Sequence, residues 1–550
     1  MDHRQRIEFL RNRTLAEFNI NNKRLIHIPN DSSLFIQENN GRMPIIVDNT
    51  VILPLVPLIT TETVDTTSIT PITTVAQVFT ALESLLVYNA SISVPPTKSA
   101  RIAYLWFFTV ASAYSWVTST QAVNGTKDSW NWDSKNLVDS DNDVFIWMTH
   151  TLVGIMSNFI PSYDTSTLLQ NERVNYGWTD AQQVSEWSRV STTGNYTAWL
   201  SAWNTWYTSR GNDGNVAASV PPSDSVLPNG STRLNVSVSQ DINAYANPRK
   251  WTPLLINGAV KNFLTYGWGD VRSTCLTAAD ETSIKNTAST FFLGTSAQRD
   301  TEIDNLVSLT NDLTDLQKMT AEFWAGGPLT VSPPCMMIWF WKQYIEATGK
   351  DMNTMIYSGL ELSINIFESS RLTWALKRFH MENRPIQEIR RRYATQTLTK
   401  YDGTDISGSM WVPYQETTFV TPPFADFPSG HSTFSQSFAS VMTAWFGNTI
   451  PTMDITMNDL TLLSPLFSGR SYVNKLSNIM IPANSSLIQV GTVPSTNQTL
   501  SWTTWQEIAD SAGISRQYGG IHCQSAHVGG QSVANSIFSL VTSEWSISRI

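Results

Sequence analysis

Apolar side chains recur along this chain at changing rhythms, and the changes divide it. Residues 1 to about 70 are irregular, with short strand-like runs such as PIIVDNTVILPLVPLI broken by Pro54 and Pro57. From about residue 75 the spacing turns helical. VAQVFTALESLLVYN and ARIAYLWFFTVASAYSWV both place apolar residues three and four apart rather than alternately. Between 121 and 250, Trp-rich helical segments alternate with long polar loops, of which 211–232 is the clearest. From about 300 the helical signal strengthens. Met355, Ile356, Leu360, Ile364 and Phe367 form one stripe, Phe434, Phe438, Val441 and Trp445 a second, and Val533, Ile537, Leu540 and Val541 a third. These stripes predict core packing, and the chain shows no internal repeat. The pattern predicts an all-α protein of packed helical bundles. Its expected parts are an irregular N-terminal segment (1–70), a helical scaffold with long loops (71–300) and a helical region (301–550).

Composition narrows the function. At 550 residues the chain exceeds a single ordinary core. A hydrophobic content of 41% with 15% charged residues is that of a globular protein. The net charge of −9 argues against a general nucleic-acid binder, though it leaves room for a local anion site. Cys275, Cys335 and Cys523 are too few and too scattered for a disulfide framework or a zinc site, and are expected as reduced, buried thiols. The longest apolar run, residues 102–117, is shorter than the roughly 20 residues that span a bilayer and is expected as a buried helix, with no membrane insertion. The opening MDHRQRIEFLRNRT has no apolar run, so no signal peptide is expected and a cytoplasmic location is the default. Nothing fixes the oligomeric state, a homo-oligomer included.

Three segments carry candidate chemistry. In PPFADFPSGHSTF, Pro428 and Ser429 precede an apolar-periodic run, which predicts a helix start with Ser429 near the N-cap. Bare backbone N–H groups, Gly430 for close approach and His431 beside them make an anion site with an acid/base. In WALKRFHMENRP, Lys377 and Arg384 lie seven apart and could share a helix face that Pro385 terminates. A guanidinium and an ammonium there suit a tetrahedral oxyanion. The EIRRRY run beyond reads as surface. In SRQYGGIHCQSAHVGG, the Gly519–Gly520 pair permits a turn that brings Arg516 and His522 together. Alone, these are a capped helix, a solvated basic face and a glycine turn.

Taken in order, K-x6-R-P, P-S-G-H and S-R-x5-H resemble the signature of the type 2 acid phosphatase and vanadium haloperoxidase superfamily. The resemblance covers roughly 320–550 and implies that family's helical core in the C-terminal half. It implies that Lys377, Arg384 and Arg516 bind the equatorial oxygens of vanadate or phosphate, with Ser429 and the Gly430 N–H adding hydrogen bonds. His522 would be the apical group, a vanadium ligand or a phosphoryl-accepting nucleophile, and His431 the acid/base. Trp374 and Phe424 are similar to the aromatic positions that flank vanadate in fungal chloroperoxidase-like members, where algal bromoperoxidases usually carry a histidine near the Phe424 position. They imply a halide pocket. The segment AEFWAGGPLTVSPP also resembles one found ahead of the motifs in soluble members.

The resemblance therefore implies a haloperoxidase that uses vanadate, hydrogen peroxide, halide and an organic acceptor, with Lys377 polarising the peroxide. A phosphomonoesterase acting through a phospho-histidine at His522, and a non-catalytic oxyanion binder, are the alternatives. Two positions depart from the family pattern. Gly326 stands where relatives commonly have an acid that supports the cage arginine, leaving Glu322 to take that role. Ala526 stands where an aspartate often orients the apical histidine, leaving Ser525 or a backbone carbonyl. Cys523 needs burial to survive peroxide. His380 and His527 are expected as structural or surface groups.

Overall fold

The protein is described by a computed structural model covering residues 74–549, apart from 136–140, 161–164, 192, 221–235, 238–248, 257–258, 329, 453, 456–459 and 468–473. Before residue 74 it describes four strand segments only. Lys23–His27 pairs antiparallel with Thr50–Pro54, and Leu34–Glu38 with Gly41–Ile45. Of the run PIIVDNTVILPLVPLI, Pro44–Ile45 and Thr50–Pro54 are in strands, and 46–49 and 55–59 lie outside the described residues. Elsewhere the molecule is mostly helical, with small sheets between helices, the largest built from Asp454–Ile455, Asn474–Lys475, Asn478–Ile481 and Gln498–Ser501.

The long helix Met352–His380 forms the axis of the fold. Asp351 caps its start by accepting from the Thr354 N–H at 2.8 Å. It is buried on nearly every side, so the single stripe read from the sequence understates its apolar surface. The Pro96–Val117 helix, which contains the apolar run 102–117, packs along it as a buried helix. Among the described residues no helix is long and apolar enough to cross a membrane. Two polar pairs tie the axis to a neighbouring helix: Ser369 bonds Ser437 at 2.8 Å, and Thr373 bonds Thr433 at 3.1 Å. Glu368 and Glu281 hold Arg371, which fastens the Ala278–Ser289 helix to the axis. The helix Ser296–Asn311 runs across the 300/301 boundary expected from the sequence.

The Gly430–Phe446 helix lies against the axis and contacts both Trp505–Tyr518 and Gln524–Trp545. Its first turn is held closely: the Ser429 N–H donates to the Ala526 carbonyl at 2.8 Å. Gly530 permits this approach, because a Cβ there would sit 2.6 Å from the Ser429 carbonyl oxygen and 3.0 Å from the Ser432 Cβ. Gly530→Ala is expected to destabilise the protein by about 1–3 kcal/mol, since backbone rather than a movable side chain must yield. A chemical denaturation curve checks this.

Candidate active site

Each motif is delivered by a different local device. Lys377 projects from the last turn of the axis helix, which ends at His380 with Met381 in a left-handed conformation (φ 49°). Arg384 is therefore not on that helix, as the seven-residue spacing suggested. It is the residue before Pro385 at the start of a new helix, Pro385–Arg392. Ser429 caps its own helix, and its hydroxyl accepts from the Ser432 N–H at 3.4 Å. Arg516 lies in the last turn of Trp505–Tyr518. The chain then turns through Gly520 (φ 66°), and the His522 N–H returns to the Arg516 carbonyl at 3.3 Å.

These side chains meet in one buried cluster. Lys377, Arg384, Ser429, Arg516 and His522 are each at most 2% exposed. The Lys377 ammonium donates to the Ala425 and Asp426 carbonyls at 2.8 and 3.0 Å. Arg384 donates from Nε to the Phe424 carbonyl at 2.6 Å, and from Nη1 to the Ile521 carbonyl at 2.8 Å and to His522 Nε2 at 3.1 Å. Arg516 is held by Ser515 Oγ and by the carbonyls of Ala321 and Ala325. His431 is half-buried, and its Nε2 donates to the Trp324 carbonyl at 2.9 Å, which leaves Nδ1 as the acceptor in the neutral ring. A Cβ on Gly430 would meet only Phe434 and Trp374 at 3.6 Å, so packing does not demand a glycine there.

The orienting acid for His522 is Asp426, whose Oδ1 accepts from Nδ1 of the ring. This corrects the expectation that Ser525 or a backbone carbonyl takes the role. Ser525 instead donates to Glu302 at 2.8 Å. Asp426 was present in the sequence inside FADFPSGH, but it lies 96 residues before His522, where no local spacing points to it. Arg299 was missed for the same reason: its Nη2 donates to the other Asp426 oxygen at 2.9 Å, and its guanidinium also faces Glu302 and Glu382. Glu322 does not support a cage arginine. Its carboxylate accepts from Tyr414, Ser486 and the Leu487 N–H. Gly326 has φ 54°, and a Cβ there would lie 3.3 Å from His431 Nε2, so an acid at this position would crowd the imidazole.

The peripheral expectations divide. Cys335 and Cys523 are each 1% exposed, as expected of buried thiols, whereas Cys275 is only half-buried. His380 and His527 are structural: they bond Ser289 at 2.9 Å and Ser432 at 2.8 Å. The EIRRRY run is not all surface. Glu388 and Arg390 are buried, and Arg390 Nε donates to the Trp411 carbonyl at 2.8 Å. Trp374 and Phe424 face each other with ring centres 4.9 Å apart. The Lys377 ammonium lies 5.0 Å from the Phe424 centroid and 5.8 Å from Trp374, within cation–π range.

Electrostatics shows what the cluster accepts. Burial, then the charge of Arg384, pushes Lys377 well below the usual lysine range. The same two causes bring Arg516 down to about 9. Burial and Arg384 lower His522 to about 3 against the opposing pull of Asp426. Burial, Arg516 and His522 push His431 well below its ordinary value. Burial opposes ionisation of Asp426, yet His522, Arg299 and Arg384 outweigh it and hold its carboxyl below the usual range. Like charges destabilise one another across this dry cluster, and an oxyanion among them reverses the sign of that interaction. Donors remain to bind it. Arg384 Nη2 is buried without an acceptor among the described residues. Lys377 has a third N–H beyond its two carbonyl bonds, and the first-turn amides of Gly430 and His431 have no intrahelical carbonyl. The residues present fit vanadate or phosphate.

Comparisons with known proteins bear on the fold that carries this arrangement. Residues 359–546 match the family model of the VCPO second helical-bundle domain. The fold is similar to that of an apo-type bacterial vanadium-dependent chloroperoxidase, with a TM-score of 0.58 and 15% identity over 82% of this chain and 95% of that one. It is also similar to the first bacterial vanadium-dependent iodoperoxidase solved, with a TM-score of 0.56 and 16% identity over 87% of this chain and 97% of that one. A sequence search finds no match among curated proteins.

Two outcomes follow from the charge balance. Orthovanadate or phosphate at 100 times its Kd is expected to stabilise the protein by about 2.7 kcal/mol, read as a rise in Tm, and Asp426→Ala is expected to weaken that binding about 10–100-fold. In oxyanion-free buffer, His522 of the unfolded chain takes up a proton below about pH 6.5 that the folded protein refuses until about pH 3. The folded pKa is the lower one, so this stability is present at neutral pH and is lost as the pH falls through that window. His522→Gln should flatten the loss of stability on acidification by up to about 1.4 kcal/mol per pH unit, measured by denaturation at stepped pH.

Proposed function

We propose that this chain, a vanadium-haloperoxidase-type protein in its fold and its second helical bundle, oxidises halide with hydrogen peroxide at a vanadate held by Lys377, Arg384, Arg516, Ser429, Gly430 and His522. The observation that carries this reading is the tautomer imposed on His522. Asp426 accepts from Nδ1, so the Nε2 lone pair is directed into the cluster of cations, where Arg384 Nη1 meets it. A neutral imidazole so directed, with its pKa lowered to about 3, is available as a ligand at any ordinary pH.

Bound vanadate supplies Lewis-acid activation of peroxide with no change in its oxidation state. The protein's own groups do the rest. Lys377 and Arg384 neutralise charge on the oxyanion oxygens, and Lys377 stabilises charge that develops on the peroxide. His431, with Nε2–H committed to Trp324, offers Nδ1 to accept a proton from peroxide and to return it to the departing oxygen. Trp374 and Phe424 give an apolar wall beside two cations, which suits a weakly hydrated halide. The same cage and the same Nε2 would serve a phosphomonoesterase, with His522 as nucleophile and His431 as leaving-group acid. The aromatic wall favours the halide reading.

Purified protein is expected to oxidise iodide or bromide with peroxide only after orthovanadate is added, and His522→Ala is expected to abolish this. His431→Ala should lower kcat about 10²–10⁴-fold while the vanadate Kd changes much less. Hydrolysis of a phosphate monoester, inhibited by vanadate and with no halide oxidation, would overturn the reading in favour of the phosphatase.

A further inference from the structure

The segment 421–423 borders two separate spaces. One is the cleft lined by His431, Arg516 and His522, with Trp374 and Phe424 in its wall. The other is a small chamber bordered by Thr252, Arg384 and Gln387, with Trp251 and Leu254 as its apolar cover. Lys261 borders both. Counted over positions of water-sized centres, the chamber holds about 10 Å³, which is room for about one water. The proposed reaction gives this space no task. Arg384 reaches the apical histidine through Nη1, which donates to His522 Nε2 at 3.1 Å.

The chamber has donors to spare and few acceptors. Arg384 is fully buried, and its Nη2 has no hydrogen-bond partner among the described residues. That nitrogen carries two N–H groups, so one can serve the oxyanion cage and the other the chamber. The Thr421 side chain is buried too, and its hydroxyl is likewise without a partner. The Thr252 hydroxyl accepts from Gln387 Nε2, which leaves its own proton to give. The acceptors are mostly engaged. The carbonyls of Thr252, Leu254, Pro422 and Pro423 already accept from Gln387, Lys261, Phe424 and Leu264, and Gln387 Oε1 accepts from the Arg384 N–H at 3.3 Å. No carboxylate borders the chamber among the described residues. A water there would have two protons to place, whereas an occupant that only accepts satisfies every donor. Buried donors left unpaired cost free energy, and a buried guanidinium gains most from a partner of negative charge.

We propose that this chamber binds a monoatomic halide anion, chloride or bromide, as a resident that is not itself oxidised. Arg384 Nη2 and the Thr421 hydroxyl donate to it. A bare halide has about the bulk of one water, whereas a carboxylate or a phosphate does not fit. The chamber and the oxyanion cage then share one guanidinium. Two anions that draw on the same charge weaken each other, and the effect is reciprocal. Halide in the chamber lowers the affinity of the cage for vanadate or phosphate, and the oxyanion lowers the affinity of the chamber for halide by the same factor. Halide concentration thereby sets how readily the cage loads. The inference needs the oxyanion cage but not halide oxidation, so it stands or falls separately from the haloperoxidase reading.

The test is the Kd of inorganic phosphate, measured by calorimetry as bromide replaces gluconate at constant ionic strength. Gluconate is too large to enter the chamber. In wild-type protein the phosphate Kd is expected to rise with bromide and then level off about fivefold higher or more. A plateau marks two sites, because an ion competing inside the cage raises the Kd without limit. Thr421→Val keeps the shape of the side chain and removes its hydroxyl. It is expected to move the midpoint of the rise to about fivefold more bromide, and Thr421→Ser to leave it in place. Both variants are expected to keep the phosphate Kd in gluconate within about twofold of wild type. A Kd that rises in proportion to bromide would place the ion in the cage and overturn the chamber site. A Kd that bromide leaves unchanged, or a plateau indifferent to Thr421→Val, would overturn it equally.

Discussion

The contact between Asp426 and His522 is the interaction on which the rest of the site depends. Without it the Nδ1–H has no buried acceptor, and the ring is held in that tautomer and direction by the Arg384 donor on Nε2 alone. The contact itself is conditional, because a carboxylate this deeply buried ionises only when cations outweigh its desolvation. Arg299 and Arg384 provide that excess. Arg299 is in turn shared among Asp426, Glu302 and Glu382, with the Asn383 carbonyl as a fourth acceptor. The site is thus a balanced group of buried charges in which each member keeps its neighbours in their working ionisation state.

Such a group explains how distant segments become one centre. The loop 424–427 holds four members of it: the Phe424 carbonyl holds Arg384, the Ala425 and Asp426 carbonyls hold Lys377, and the Asp426 carboxylate holds His522 and Arg299. The loop then leads directly into the capped helix that presents Ser429, Gly430 and His431. Close packing of Gly530 on that helix start fixes its position relative to His522, which is carried by the same C-terminal segment.

The helical architecture and the three motif segments were legible in the sequence because their signals are local. Apolar periodicity, a Ser N-cap after proline and a glycine turn each occupy a few residues, and each forms as read. What was not legible depends on contacts across the fold. Lys377 and Arg384 converge because the chain breaks at Met381 and restarts at Arg384; a continuous helix over that span would have given the same sequence spacing. Asp426 replaces the acid expected at the Ala526 position from a place 100 residues earlier in the chain. Arg299 falls outside the motif region altogether. Burial of Glu388 and Arg390 was hidden for a simpler reason: a basic run resembles a solvated face until a carbonyl such as that of Trp411 is brought to it.

Cys523 follows the proposed metal ligand in sequence, in a protein whose proposed product attacks thiols readily. It is sealed from the cleft, and burial with the nearby carboxylates pushes its thiol well above the ordinary range. Sulfur reacts with oxidants chiefly as thiolate. Burial and the Asp426 carboxylate, which both act on His522, thus also keep its neighbour in the unreactive thiol form against the opposing charge of Arg299.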